Sequence, residues 1–324
     1  MYDKILDNFL HKNIVVIGDL ILDKYIYGNV ERISPEAPIP VVDIQKEKYV
    51  LGGAANVAAN VMALKGKVSI MGVLGNDQDR TLFLKKAKQM NIDISGITID
   101  KTRRTTKKVR VIGKHQQLLR IDFEHRDYIN KFYEENIINR IKKRNNIDVI
   151  IISDYAKGVI TKNLMTDIKQ IARDNQILVL VDPKPKHKEF YKNVDIITPN
   201  KIEAEAMSNR KISNKQTLEE VGNYLAEDNN ADFIITTGEK GMSVFSANHE
   251  VHHIPTRAKD VYDVSGAGDT VVATLALSLS SGANLPEAAN IANFAAGIEV
   301  SKMGTAPVYI DELRKKLSKE NISN

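Results

Sequence analysis

Cysteine is absent from the chain. Disulfides, thiolate nucleophiles and cysteine-ligated zinc are thereby excluded, and a cytoplasmic protein is the simplest expectation. Tryptophan is absent too, so one of the side chains on which nucleic-acid bases stack is missing. Nowhere do about 18 uncharged apolar residues follow one another, so no membrane-spanning helix is expected. The opening "MYDKILDNFLHKN" carries acidic residues and no small-residue cleavage site, unlike a signal peptide. Histidine is scarce and shows no metal-ligand spacing. His252 and His253 are adjacent on an expected strand, where neighbours point to opposite faces.

What is present describes a globule. At 324 residues, 43% hydrophobic and 27% charged, the chain has material for one large α/β domain or two modest ones. The 46 basic residues exceed the 41 acidic ones, an excess that suits a phosphorylated ligand. Basic residues form only short clusters such as "KKVR" and "IKKR". They read as a solvated surface, and no nucleic-acid partner is expected.

"NIVVIGDLIL" is an almost unbroken apolar run, the pattern of a parallel strand covered on both faces. "KYIYGNVERISPEAPIPVVDIQKEKYVL" is rich in β-formers but holds three prolines, which predicts short edge strands and turns. A small-residue helix follows in "GGAANVAANVMALKG", then strand "KVSIMGVLG" and helix "DQDRTLFLKKAKQM". Residues 105–124 predict a hairpin around Gly113. Strands "DVIIISD", "ILVLVDPK", "DIITPN" and "DFIITTG" then alternate with helices near 161–174, 200–208 and 215–228. "GMSVFSANHEVHHIPT" predicts a β pair, and the last 60 or so residues are mostly helical. The alternation predicts an α/β fold, a mainly parallel sheet flanked by helices. The segments near 20–50 and 100–125 predict a small β-sheet lid inserted in it. Ligands of such sheets bind at the carboxyl ends of strands, which directs attention to Asp19, Asp23, Asp154, Asp182, Asn200, Thr237 and Gly238.

"DVSGAGDT", residues 263–270, places two glycines directly before an apolar helical run. A helix start leaves unpaired N–H groups and a partly positive dipole end. Glycines there let several amides converge on one anion. Gly266, Ala267 and Gly268 thus read as an oxyanion cradle, with Asp269 placed to accept a proton from an attacking hydroxyl. A plain N-cap would use the same residue types, and the loop alone does not choose between them. No Lys-Ser/Thr follows the glycines, so this is not a P-loop.

With "GGAANVA", "NKIEAE" and "TTGEKG", this loop resembles, in order and spacing, the ribokinase (PfkB-type) carbohydrate kinases over about residues 12–310. "GDLILDKYIYGNVERISPEAPIPVV" and "SDYAKGV" are most similar to the D-glycero-β-D-manno-heptose-7-phosphate kinases, which make the 1,7-bisphosphate used for the ADP-heptose of lipopolysaccharide. Some of those relatives carry an appended nucleotidyltransferase domain with an HxGH-type motif. None appears here, and a single kinase domain over 1–324 is expected.

The resemblance implies a ribokinase-like fold and a set of roles. Asp269 is the base and the amides of Gly266, Ala267 and Gly268 the anion hole. Asn200 and Glu203 organise Mg²⁺ and the phosphates of ATP through water; Thr237, Gly238 and Gly241 form the nucleotide turn, and Asn293 lines the adenine pocket. Asp23, Gly53 and Asn56 hold the sugar, with Asp19 beside them. Asp263 and Ser265 stand where some relatives bind a monovalent cation such as K⁺. For the sugar's phosphate, Lys157 is the first choice, ahead of Lys184, Lys186, Arg104, Arg110 and Arg120. Pairing of lid edges makes a homodimer the expected assembly. The rival readings are a kinase of the same type acting on another sugar, and a sugar or nucleotide sensor without turnover. A Rossmann dehydrogenase fails because "GDLILD" lacks the glycine cradle.

Overall fold

The computed structural model describes residues 2–114, 116–257, 261–262, 264–302 and 306–320. In chain order come α1 (Asp3–Asn8), β1 (Asn13–Gly18), β2 (Leu20–Ile33), β3 (Pro40–Gly53) and α2 (Ala54–Ala63). Next are β4 (Lys67–Gly75), α3 (Gln78–Gln89), β5 (Asp93–Asp100), β6 (Thr106–Gly113), β7 (Gln116–Phe123) and α4 (Lys131–Lys142). They are followed by β8 (Val149–Ser153), α5 (Lys162–Asn175), β9 (Leu178–Asp182), β10 (Ile196–Ile197), α6 (Lys201–Ser208) and α7 (Lys215–Asn229). Last are β11 (Asp232–Thr236), β12 (Met242–Phe245), β13 (Val251–Ile254), α8 (Ala267–Ser280), α9 (Leu285–Glu299) and α10 (Ile310–Glu320).

Successive side chains of a strand face opposite ways, so the run Ile14–Ile17 can stay apolar throughout only if both faces are covered. They are. Ile14 and Val16 join one core with α2, α8 and α9, while Val15 and Ile17 join a second with α4, α5 and α7. The resulting sheet has nine strands in the order β13-β12-β11-β10-β9-β8-β1-β4-β5. It is parallel except where β12 and β13 turn back beside β11.

A second sheet, β3-β2-β6-β7, stands apart. The apolar run that starts in β1 crosses Asp19 and continues as β2, in this other sheet. β2 and β3 are 14 residues each, longer than the short edge strands the prolines suggested. Pro35 and Pro38 lie in the turn joining them and Pro40 is the first residue of β3, where a missing N–H does least harm. Three elements escaped the sequence reading: helix α1, strand β5 and helix α4. Among the described residues no helix is long and apolar enough to cross a membrane.

Candidate active site

The carboxyl ends of the strands, the start of α8 and the root of the small sheet meet in one cleft. Gly266, at φ 96°, caps α8 in the left-handed region that suits glycine. This turn places Asp269 in the first helical turn, 5% exposed. Its Oδ2 accepts a hydrogen bond from Asn56 Nδ2 at 2.7 Å and its Oδ1 one from the Tyr155 hydroxyl at 3.0 Å. Burial pushes the Asp269 carboxyl up to about 6; the Asn56 and Tyr155 donors restrain the rise, the charge of Asp23 adds to it and Lys184 opposes it. Such a group is mostly ionised at neutral pH and basic enough to take a proton from a hydroxyl.

Asn56 reaches this point because β3 runs directly into α2 through Gly53. Gly53 has φ 57°, and a Cβ there would stand 2.3 Å from the Asp19 carbonyl oxygen, so no other residue fits without moving the backbone. Tyr155 is delivered by the loop after β8. Asp19, expected beside the sugar, instead spends its carboxylate on that loop, accepting from the amides of Tyr155 (2.9 Å), Lys157 (3.0 Å) and Val159 (3.1 Å). Burial, then the charge of Asp154, raises the Asp19 carboxyl to about 6 against those three donors. Asp154 is likewise structural, bonded to the His187 ring at 2.6 Å and to the Tyr191 hydroxyl at 2.5 Å.

On one side of Asp269, a cavity of about 160 Å³ lies between Asp269, Asp182, Lys184, Asn200 and Glu203. Asn200 and Glu203 close a capping box at the start of α6, each accepting the other's amide at 3.0 Å. Glu203 is also ion-paired with Lys184. Desolvation in the cleft, with the charges of Asp269 and Glu203, holds the Asp182 carboxyl well above its usual range. Thr237 donates through both its amide (2.8 Å) and its hydroxyl (2.9 Å) to the Gly241 carbonyl, closing a tight turn over Gly238. Asn293, on α9, donates to the Pro255 carbonyl at 2.6 Å; its amide group positions the corner after β13. Ser265 precedes the helix start, whereas Asp263 lies outside the described residues.

Toward the small sheet, Asp23 is 7% exposed and ion-paired with Arg110. A Cβ at Gly52 would stand 2.1 Å from an Asp23 carboxylate oxygen, so the bare backbone makes room for that side chain. Lys157 points into the region but is paired with Glu124. Arg120 pairs with Asp122 on the outer strand β7, while Arg104 lies over the Phe123 ring at 5.7 Å and Lys186 over that of Tyr128 at 5.3 Å. Tyr155 and Lys108 are the cleft residues that sequence reasoning passed over. Tyr155 stood inside the quoted "SDYAKGV"; Lys108 was submerged in "KKVR".

A glycine-capped helix start, a buried carboxylate in its first turn and a second sheet beside a mainly parallel one are an arrangement suited to phosphoryl transfer. The chain belongs to the pfkB family carbohydrate kinases, whose family model matches residues 11–312, and is an ATP-dependent sugar kinase. It is 44% identical over 298 residues to the bifunctional protein HldE of Geobacter metallireducens, an alignment covering 91% of this chain and 61% of that protein. The chain thus spans about three fifths of that relative's length. Among solved structures, Arabidopsis thaliana ribokinase complexed with ribose and ATP matches with a TM-score of 0.75 at 18% identity, over 94% of this chain and 98% of that one. Escherichia coli phosphofructokinase-2 in complex with potassium gives 0.79 at 17% identity, over 96% and 99%. The fold is therefore ribokinase-like, with the expected separate small sheet.

Proposed function

We propose that the chain transfers the γ-phosphoryl group of ATP to the C1 hydroxyl of D-glycero-β-D-manno-heptose 7-phosphate, giving the 1,7-bisphosphate on the route to ADP-heptose and lipopolysaccharide. The observation that carries the chemistry is Asp269, a buried carboxylate held by two neutral donors at the start of α8. Asp269 takes the hydroxyl proton as the sugar oxygen attacks the γ-phosphorus in line and ADP departs. The amides of Gly266, Ala267 and Gly268 meet the equatorial oxygens at the positive end of the helix. Asp23, Gly53 and Asn56 hold the sugar, and Lys157 stands near its phosphate. The choice of sugar is supported by the stretches similar to heptose-phosphate kinases and by the 44% identity to HldE.

The oxygen donors Asp182, Asn200 and Glu203 around the cavity suit Mg²⁺, which binds through one or two carboxylates together with substrate phosphates and water. Bound there, it supplies charge neutralisation along the phosphates. Thr237, Gly238, Gly241 and Asn293 take the nucleotide. A K⁺ ion near Ser265 is consistent with the potassium complex of phosphofructokinase-2. The edge strands β3 and β7 and the exposed Leu119 (54%) and Ile121 (41%) support a homodimer that covers the small sheets. A cytoplasmic setting, without nucleic-acid or membrane partners, fits this reading.

ADP release from MgATP tests it, with D-glycero-D-manno-heptose 7-phosphate, the unphosphorylated heptose, fructose 6-phosphate and ribose as acceptors. Turnover confined to the heptose phosphate is expected. Preference for another acceptor overturns the sugar assignment, and silence with ATP bound overturns catalysis.

A further inference from the structure

Strand register puts Lys108 at the centre of a row. It lies opposite Asp23 on β2 and opposite Asp122 on β7, and side chains two apart on a strand share a face, so Arg110 is on the same side. Both carboxylates in that row are already taken, Asp23 by Arg110 and Asp122 by Arg120. Farther along the cleft, Lys157 is paired with Glu124 and Lys184 with Glu203. Its neighbour in sequence, Lys107, is paired with Asp79 on the opposite face. Lys108 differs from all of these. Among the described residues its ammonium has no ion-pair partner, and it lies over the Tyr155 ring, 5.8 Å from the centroid. Partial burial and the positive charges of Lys157 and Arg110 hold its pKa below the usual lysine value, against the pull of Asp23 and Asp122. A half-desolvated cation among other cations is costly unless an anion completes it.

The anion can be placed. Tyr155, over which the Lys108 ammonium rests, is hydrogen-bonded through its hydroxyl to Asp269. Lys108 and the base are therefore separated by about one tyrosine side chain. That separation suits a substrate with its reacting hydroxyl at one end and a phosphate at the other. We propose that Lys108 is the principal anchor of the phosphate monoester of the sugar substrate, with the paired Lys157 and Arg110 flanking it. The assignment rests on the reading of the substrate as a sugar phosphate.

The test compares Lys108→Met, which keeps the aliphatic stem, with Lys108→Arg, which keeps the charge. Loss of a charge-assisted contact to phosphate raises KM for D-glycero-D-manno-heptose 7-phosphate by about 10- to 100-fold in Lys108→Met, with Lys108→Arg recovering most of it. KM for ATP and turnover of the unphosphorylated heptose stay within about twofold. An equal rise for ATP, or an equal loss with both sugars, overturns the proposal. Binding of inorganic phosphate, measured calorimetrically on wild type and Lys108→Met, separates this assignment from the choice of sugar. If the wild type turns over no heptose phosphate, the substrate reading fails; Lys108 still stands if phosphate binding is lost in the variant, and falls if it is unchanged.

Discussion

The two sheets differ in what surrounds them. In β8, Val149 through Ser153 are all buried, whereas in β7 Gln116 through Asp122 are all exposed. The nine-stranded sheet is held by cores on both faces; the small sheet is held by its own ladders and a few ion pairs. The residues they bring to the cleft differ in the same way. From the large sheet and its helices come Asp269, Asn56 and Tyr155, the last two each donating a hydrogen bond to the Asp269 carboxylate. From the small sheet come Asp23, Lys108 and Arg110, side chains answering to one another's charge. On the proposed reading, the buried frame fixes where the proton goes and the exposed sheet selects what carries it.

The sharpest way to break that division is at the base. Asp269→Asn lowers turnover by roughly 10²- to 10⁴-fold with ATP affinity nearly unchanged, as single-turnover and equilibrium binding measurements will report; near-normal turnover removes the base assignment. The same variant tests the burial argument in the opposite direction. Because folding raises the pKa of Asp269 to about 6, the folded state holds the proton more tightly than the unfolded chain. The stabilisation this gives is complete below the usual carboxylate pKa of about 4 and is lost as pH rises through about 6. At pH 8 the ionised carboxylate is a net burden that the neutral amide removes, so the variant has the higher Tm there; a lower Tm contradicts it.

Packing comes next. Ile151→Ala in β8 removes a fully buried side chain and costs about 2–5 kcal/mol by denaturant titration. Leu119→Ala in β7 changes the stability of the single chain by no more than about 0.5 kcal/mol. Equal costs erase the distinction between the sheets. The third contrast is in pH. The acid limb of kcat falls near the Asp269 value of about 6, and Tyr155→Phe, which deletes a donor to the ionised form, moves it to higher pH. A limb that stays put means the hydroxyl does not act on the base. Smallest is Lys157→Ala. Its ammonium is already neutralised by Glu124, so KM for the sugar phosphate rises several-fold, more than KM for ATP and less than in Lys108→Met.

Much of the frame was legible because its strands are continuous apolar runs. The runs at 14–17, 149–152 and 233–235 need cover on both faces, and only helices flanking a parallel sheet supply it. The small sheet was harder: its prolines argued for short pieces, although they cluster at the turn and the first position of β3, where they interrupt no ladder. β5, "DISGITID", has too few apolar residues to announce itself and is a strand because it pairs with β4. In the site, Asp269 and Asn56 could be named from their motifs. Their contact joins positions 213 residues apart, and no spacing foretells it. Lys108 and Lys107 are equivalent in "KKVR"; only the pairing with β2 and β7 turns one toward the cleft and the other toward Asp79.

The independence of the small sheet also has a consequence over generations. Only the roots of its long strands, such as Leu20, Leu22 and Leu51, belong to the main core. On the proposed reading, substitutions farther out change charge and shape at the sugar while leaving that core untouched, and exposed positions of this kind tolerate change at little cost in stability. Acceptor preference can thus drift by single mutations while the phosphoryl-transfer apparatus is inherited intact.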